Sequence, residues 1–259
     1  MKKTAFTIGL FTLAALCVGT AEAGDEPRPR VTVPKLEGVL TCDGELTEAV
    51  WDKAAVIPDF QISLTEAAAS EKTELRLWYD DEALYLGWIC TDSDIQATFT
   101  ERDSHFWEEE VVEFFITPDD LTEYFELQWN PLGGEFDAII YNKLNAQGDS
   151  ISMKGDWDYT AEGMISAVKV FGTVSEYDDK DQKWQVEVKV PFSALHQETP
   201  QSGDTWRGNF YRFNRTQGRE AELLSWSPTR KPSFHEPARF GDIQFEGTQA
   251  NVDLRQTEK

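Results

Sequence analysis

Two stretches constrain the fold more than anything else in the chain. Glu74-Leu75-Arg76-Leu77-Trp78-Tyr79 alternates polar and apolar residues, turns at Asp80-Asp81-Glu82, and returns as Ala83-Leu84-Tyr85-Leu86-Gly87-Trp88. Successive side chains of an extended strand point to opposite faces, so a period of two predicts a hairpin. Trp184-Gln185-Val186-Glu187-Val188-Lys189-Val190 alternates more cleanly and stops at Pro191, which cannot donate to a ladder. Further strands are predicted over residues 111–116, 124–129, 136–141, 164–171, 206–214 and 239–245. Helical signal is confined to a turn around residues 45–53 and another over 192–196, the latter starting near a Ser193 cap. Many short strands between turn residues predict an all-β fold: a single antiparallel β-sandwich, jelly-roll-like, with a few short helical turns. Trp78, Trp88 and Trp184 are expected in its core, and Trp51 is expected to pack a turn against it.

The ends read differently. Lys2 and Lys3 precede an apolar run from Ala5 to Val18, followed by Ala21-Glu22-Ala23, a small-x-small cleavage site. This pattern predicts an exported protein, periplasmic or extracellular, with residues 1–23 removed as a signal peptide. A lipid anchor at Cys17 is the rival, although Leu16 is bulkier than that processing usually accepts. The run is too short to span a bilayer comfortably. Residues 24–30 read as an exposed lead-in, 31–246 as one domain, and 247–259 as a polar tail.

A formal net charge of −23 argues against nucleic acid and anionic membranes as partners. Cys42 and Cys90 suit either one disulfide in an oxidising compartment or two buried thiols. Asp92-Ser93-Asp94, Asp156-Trp157-Asp158 and Asp178-Asp179-Lys180-Asp181 are oxygen clusters compatible with structural calcium, though none has EF-hand spacing. No cofactor is required by the sequence. There is no Gly-x-Ser-x-Gly, no His-Glu-x-x-His and no phosphate loop. The Glu108-Glu109-Glu110 run with Glu113 could supply paired carboxylates to a glycoside hydrolase, but reads more simply as a solvated strand edge. His105, His196 and His235 with Met153 and Met164 leave a haem-binding variant of the sandwich to consider.

Trp107 stands apart from the other tryptophans, in a polar approach between Arg102-Asp103-Ser104-His105-Phe106 and the glutamate run. It is either core or a ligand platform. A pyranose lays its C–H face on such a ring while its hydroxyls reach carboxylates and amides at the edge.

Several blocks, in order, resemble family 9 carbohydrate-binding modules. They are Asp43-Gly44-x6-Trp51, the Leu75–Leu86 hairpin, Trp107-x5-Glu113-Phe114-Phe115-Ile116, Asn130-Pro131-Leu132-Gly133-Gly134, Trp184-x5-Val190-Pro191-Phe192, Trp206-Arg207-Gly208-Asn209-Phe210-Tyr211-Arg212 and Arg239-Phe240-Gly241. The resemblance runs from about Val31 to Phe245 and implies a sandwich that grips a saccharide between two rings, often in proteins that degrade xylan. Residue by residue, it implies Trp107 as the first ring and Glu113 as a carboxylate for hydroxyls. It places Phe234 where the known modules carry a second tryptophan, Gln128 where they carry an arginine, and Lys231 where they carry an asparagine, with Arg212 as an extra donor. A Phe-sized face is worth about 1.5–3 kcal/mol. Two faces and a few charged hydrogen bonds then give roughly millimolar to micromolar affinity, and phenylalanine in place of tryptophan implies either the weaker half of that range or a different sugar. The expected partner is an oligosaccharide or polysaccharide, and the expected state is a monomer.

Overall fold

A computed structural model describes residues 28–118, 120–176 and 179–246. Residues 1–27 and 247–259, where a signal peptide, most of a lead-in and a polar tail are expected, lie outside the described residues.

The predicted sandwich forms from two sheets. The larger contains β1 (Arg30–Pro34), β3 (Gln61–Ile62), β6 (Val111–Thr117), β7 (Glu123–Trp129), β8 (Glu135–Leu144), β9 (Ser150–Asp156), β12 (Thr205–Asn214), β13 (Glu222–Ser225) and β14 (Gly241–Glu246). Its spatial order is β1-β14-β12-β6-β7-β8-β9, with β13 pairing with both β12 and β3. The smaller sheet contains β2 (Ala55–Ile57), β4 (Thr73–Tyr79), β5 (Ala83–Thr91), β10 (Ile165–Phe171) and β11 (Lys183–Pro191), in the order β10-β11-β5-β4-β2. Pairing is antiparallel except that β1 runs parallel to β14. The six strands predicted singly and both arms of the hairpin are present. Strands β1, β2, β3, β9 and β13 were not anticipated. β2, β3 and β13 are too short to show a period and β9 is mostly exposed, whereas β1 does alternate, with Val31 and Val33 buried, but over only five residues.

The period of two explains the core. Leu75, Leu77, Leu84, Leu86, Trp88, Trp184, Val186 and Val188 of the smaller sheet face Val112, Phe114, Ile116, Leu127, Trp129 and Phe210 of the larger. Trp78 is fully buried as expected, but on the smaller sheet's opposite face, stacked on Tyr85 at 3.8 Å beneath the segment that carries Trp51.

That segment is tied down by one carboxylate. Glu187 accepts hydrogen bonds from the backbone N–H groups of Asp43 (3.0 Å) and Gly44 (2.9 Å) and from the Trp51 indole (2.8 Å). Gly44 makes this possible: its φ is +85°, and a β-carbon there would meet the backbone of Val168 and Lys169 at 2.7 Å. The Asp-Gly-x6-Trp block is therefore a structural latch. Glu187→Ala leaves three donors without an acceptor. It is expected to cost about 3 kcal/mol, seen as a thermal midpoint lower by about 6–12 °C.

One local expectation is corrected, and for the cysteines the structure shows the thiol alternative. Ser193 caps nothing: a 3-10 turn over Phe192–Leu195 starts from Pro191, with no side-chain cap. Cys42 and Cys90 are both free. Cys90 is buried in the inter-sheet core, whereas Cys42 donates to the Glu187 carbonyl at 3.2 Å beside the latch.

Candidate functional site

The outer face of the larger sheet also buries a cluster, and two irregular stretches roof it. Its buried members include Phe106, Val111, Phe115, Tyr124, Phe136, Ile140, Tyr211, Phe234 and Phe240, with Phe99, Trp107 and Phe213 among those packed against them. Phe106 and Trp107 come from the approach to β6, and Phe234 and Phe240 from the stretch between β13 and β14.

Strand register sets the centre of this face. Phe136 pairs with Gln128, Gln128 with Glu113, and Glu113 with Tyr211, which makes one row across β8, β7, β6 and β12. With strands about 4.8 Å apart, the row is roughly 14 Å long. The two predicted rings stand at its ends. Trp107 packs edge-to-face on Phe136 with centroids 5.6 Å apart, and Phe234 stacks on Tyr211 at 4.1 Å. Each ring is backed by an aromatic on one face, Trp107 by His105 at 4.7 Å and Phe234 by Tyr211, so both are held in orientation. Trp107 is half-buried, whereas Phe234 is only 4 % exposed.

Between the rings lie polar groups without partners enough. Gln128 donates to Glu126 at 2.6 Å, yet its own carbonyl oxygen is buried without a donor. The Glu113 carboxyl is 2 % exposed and makes no hydrogen bond among the described residues. Burial and the neighbouring Glu126 push Glu113 well above the usual carboxyl range, and burial pushes Glu126 up to about 7. Buried polar groups in native proteins are almost always satisfied. A row that carries a buried, unpaired amide oxygen and a buried carboxyl between two oriented rings is suited to a ligand rich in hydroxyls.

Glu126 was missed at the sequence level although the signal was there. Period two places it on the same face as Gln128, two residues on. Tyr211 and Tyr124 were missed as well, and His235 was considered only as a haem ligand. The Tyr124 hydroxyl lies 2.6 Å from Nδ1 of His235, and burial lowers that imidazole to about 4. His235 is thus held neutral as part of the wall.

Arg212 is the main correction. It alternates with Tyr211, so when register turns Tyr211 toward Glu113, Arg212 must point into the sandwich. There its guanidinium is fully buried, bonded to Glu110 at 2.8 Å, Asp92 at 2.9 Å and Asn214 at 2.8 Å. It cannot reach the outer face. Glu110, expected at a solvated edge, is its buried partner, pushed up to about 8 by desolvation, whereas Glu108 is exposed. Lys231 sits at the rim, bonded to Asp149 at 3.0 Å and Glu236 at 2.9 Å.

Two of the oxygen clusters are engaged in hydrogen bonds within the chain. Asp92 accepts from Arg212 and from the Asp94 N–H, and Asp181 accepts from the N–H groups of Ile95 and Thr173. Asp178 lies outside the described residues. Among those described, no three acidic, histidine or cysteine side chains converge on a metal-sized point. No helix among them is long and apolar enough to cross a membrane.

Two surface clefts, of about 370 and 320 Å³, open elsewhere. The first is lined by residues 35–38 and 80–82, the second by residues that include Thr98, Glu109 and Arg215; neither carries an aromatic ring. They lack what stacking on a sugar requires.

A family-wide sequence profile, described as "Carbohydrate-binding family 9", matches residues 46–245. No curated protein matches the chain. Among solved structures, a Bacteroides uniformis ATCC 8492 protein whose carbohydrate-binding role is inferred has a TM-score of 0.64 at 20 % identity, covering 84 % of this chain and 99 % of its own. A carbohydrate-binding module of family 9 from Caldicellulosiruptor kristjanssonii, in complex with cellotriose, has a TM-score of 0.58 at 15 % identity, covering 86 % and 97 %. A module from the same organism in complex with glucose has a TM-score of 0.57 at 17 % identity, covering 87 % and 100 %. At these identities the likeness is one of fold.

Proposed function

The chain belongs to carbohydrate-binding family 9, and on that premise we propose that it is an exported, monomeric protein that holds a saccharide over the Phe136–Gln128–Glu113–Tyr211 row. Trp107 and Phe234 with Tyr211 close the two ends, Glu113, Glu126 and Gln128 take the hydroxyls, and Lys231 lies at the rim. The observation that carries this reading is the buried, incompletely bonded polar floor between two oriented rings. Export is supported by the sequence up to Ala23. A role in polysaccharide breakdown accords with a module that retains a chain or its fragments.

Glu113 and Phe234 expose only 2 % and 4 % of their surface, so a sugar reaches the floor only when the irregular cover moves. Moving it consumes part of the binding energy, which places affinity in the millimolar half of the range given above. Calorimetric titration of the chain without residues 1–23 against gluco-, xylo- and galacto-oligosaccharides is expected to show millimolar binding to at least one class. No binding to any neutral saccharide sinks the reading.

The floor also sets a pH dependence. Glu126 titrates near 7 when folded and near 4.3 when unfolded, so the folded state keeps its proton longer. The stability this supplies is complete below about pH 4.3 and disappears as pH rises through 7. His235 works in the opposite sense, but only between about 4 and 6.5. Above pH 6.5 the carboxyl dominates. Glu126→Gln is therefore expected to raise the thermal midpoint at pH 8 by roughly 5–10 °C and to change it little at pH 4.5. At pH 8, where Glu126 is ionised, the same substitution removes a charged acceptor and is expected to weaken sugar binding about tenfold or more. A variant less stable at pH 8 overturns the assignment of Glu126 as a group desolvated for ligand.

A further inference from the structure

We infer that Trp157 forms a second sugar platform beside Trp107, so that the site accepts a neutral chain of two or more pyranose units running out over the edge strand β9. This rests on the reading that Trp107 meets a saccharide. The ring of Trp157 lies 5.6 Å from Phe136 at 82° and 5.9 Å from Trp107 at 77°. Such perpendicular contacts fix the indole while the residue stays 48 % exposed.

Its seat is shaped for it. A β-carbon on Gly155 would lie 2.1 Å from the indole nitrogen, so the ring rests on bare backbone. Gly155 pairs with Ile140, a member of the outer-face cluster, so Trp157 lies on the same face as Phe136. Met153, two residues further back along β9, continues that face and is 51 % exposed, and Ile151, 57 % exposed, follows at a shift in the β8–β9 register. β9 ends the sheet, and the stripe therefore starts at the candidate site and runs to an open margin.

Contiguous exposed apolar side chains on one face mark a binding surface. Continuity with the Trp107 end of the row, and the polar Lys231–Asp149 pair at the rim, fit a sugar chain: apolar ring faces below, hydroxyls at the edges. A protein partner would be expected to meet a broader apolar core.

The test compares a monosaccharide with the corresponding trisaccharide, for whichever class the wild-type chain binds. Trp157→Ala is expected to weaken trisaccharide binding about tenfold and to leave the monosaccharide Kd within twofold. Trp157→Phe should retain most of the difference. Gly155→Ala displaces the ring without removing it, and should lower trisaccharide affinity with the fold intact. It also serves as the readout if Trp157→Ala does not fold. Equal losses for both sugars would mean that Trp157 merely props Trp107; no loss for either would mean that the ring is idle. Both outcomes overturn the second platform while leaving the first in place. A wild-type chain that binds neither sugar overturns the underlying reading as well.

Discussion

Arg212→Ala is expected to destabilise the protein by about 3–5 kcal/mol, the usual cost of stranding buried charges. Arg212 is fully buried and is the cation shared by Asp92 and Glu110. It also donates to the Thr91 carbonyl at 2.9 Å, so it joins β12 and the approach to β6 to the smaller sheet. Even with the arginine present, burial raises Asp92 to about 6 and Glu110 to about 8. Without it both rise further, and carboxyls with raised folded pKa values contribute stability below their unfolded pKa that is lost as pH rises. The penalty should therefore grow from pH 4 to pH 9 in denaturant titrations followed across that range. Adding Asp92→Asn and Glu110→Gln is expected to recover much of the loss. The milder Arg212→Lys should bind saccharide with an unchanged Kd, because the side chain faces away from the row. A large loss of affinity in a folded Arg212→Lys protein would return the residue to the site.

Trp107→Ala should lower saccharide affinity by at least a hundredfold, to below detection for a millimolar ligand, while the far-UV spectrum and cooperative unfolding stay as in the wild type. Removing an indole face forfeits about 3 kcal/mol of apolar contact. Trp107 packs on the outer-face cluster from its margin and carries no contact with the inter-sheet core, so the fold does not depend on it. Binding that survives the substitution refutes the ring assignment. Unfolding would make Trp107 a structural residue.

Much of this architecture was readable from residue order. Alternation over residues 74–79, 83–88 and 184–190 determined strands with one face inward, because a pleated backbone leaves no other place for every second side chain. The ordered blocks carried the family and led to Trp107, Glu113 and Gln128, which the structure aligns on one outer face. The same alternation implied Glu126 once Gln128 was chosen.

The partners of each position were not readable. Tyr211 and Arg212 are neighbours with equal claims to a ligand, and alternation says only that they face opposite ways. Register between β12 and β6 pairs Tyr211 with Glu113 and commits Arg212 to the interior. Trp157 sat among aspartates that looked like a cation loop, and only the return of β9 along β8 brought it against Trp107 and Phe136. Local sequence thus determined strand, face and family, since these follow from the pleat and from short blocks. Which side chains meet was decided by pairing between distant strands, because a shift of one residue in register turns every side chain to the other face.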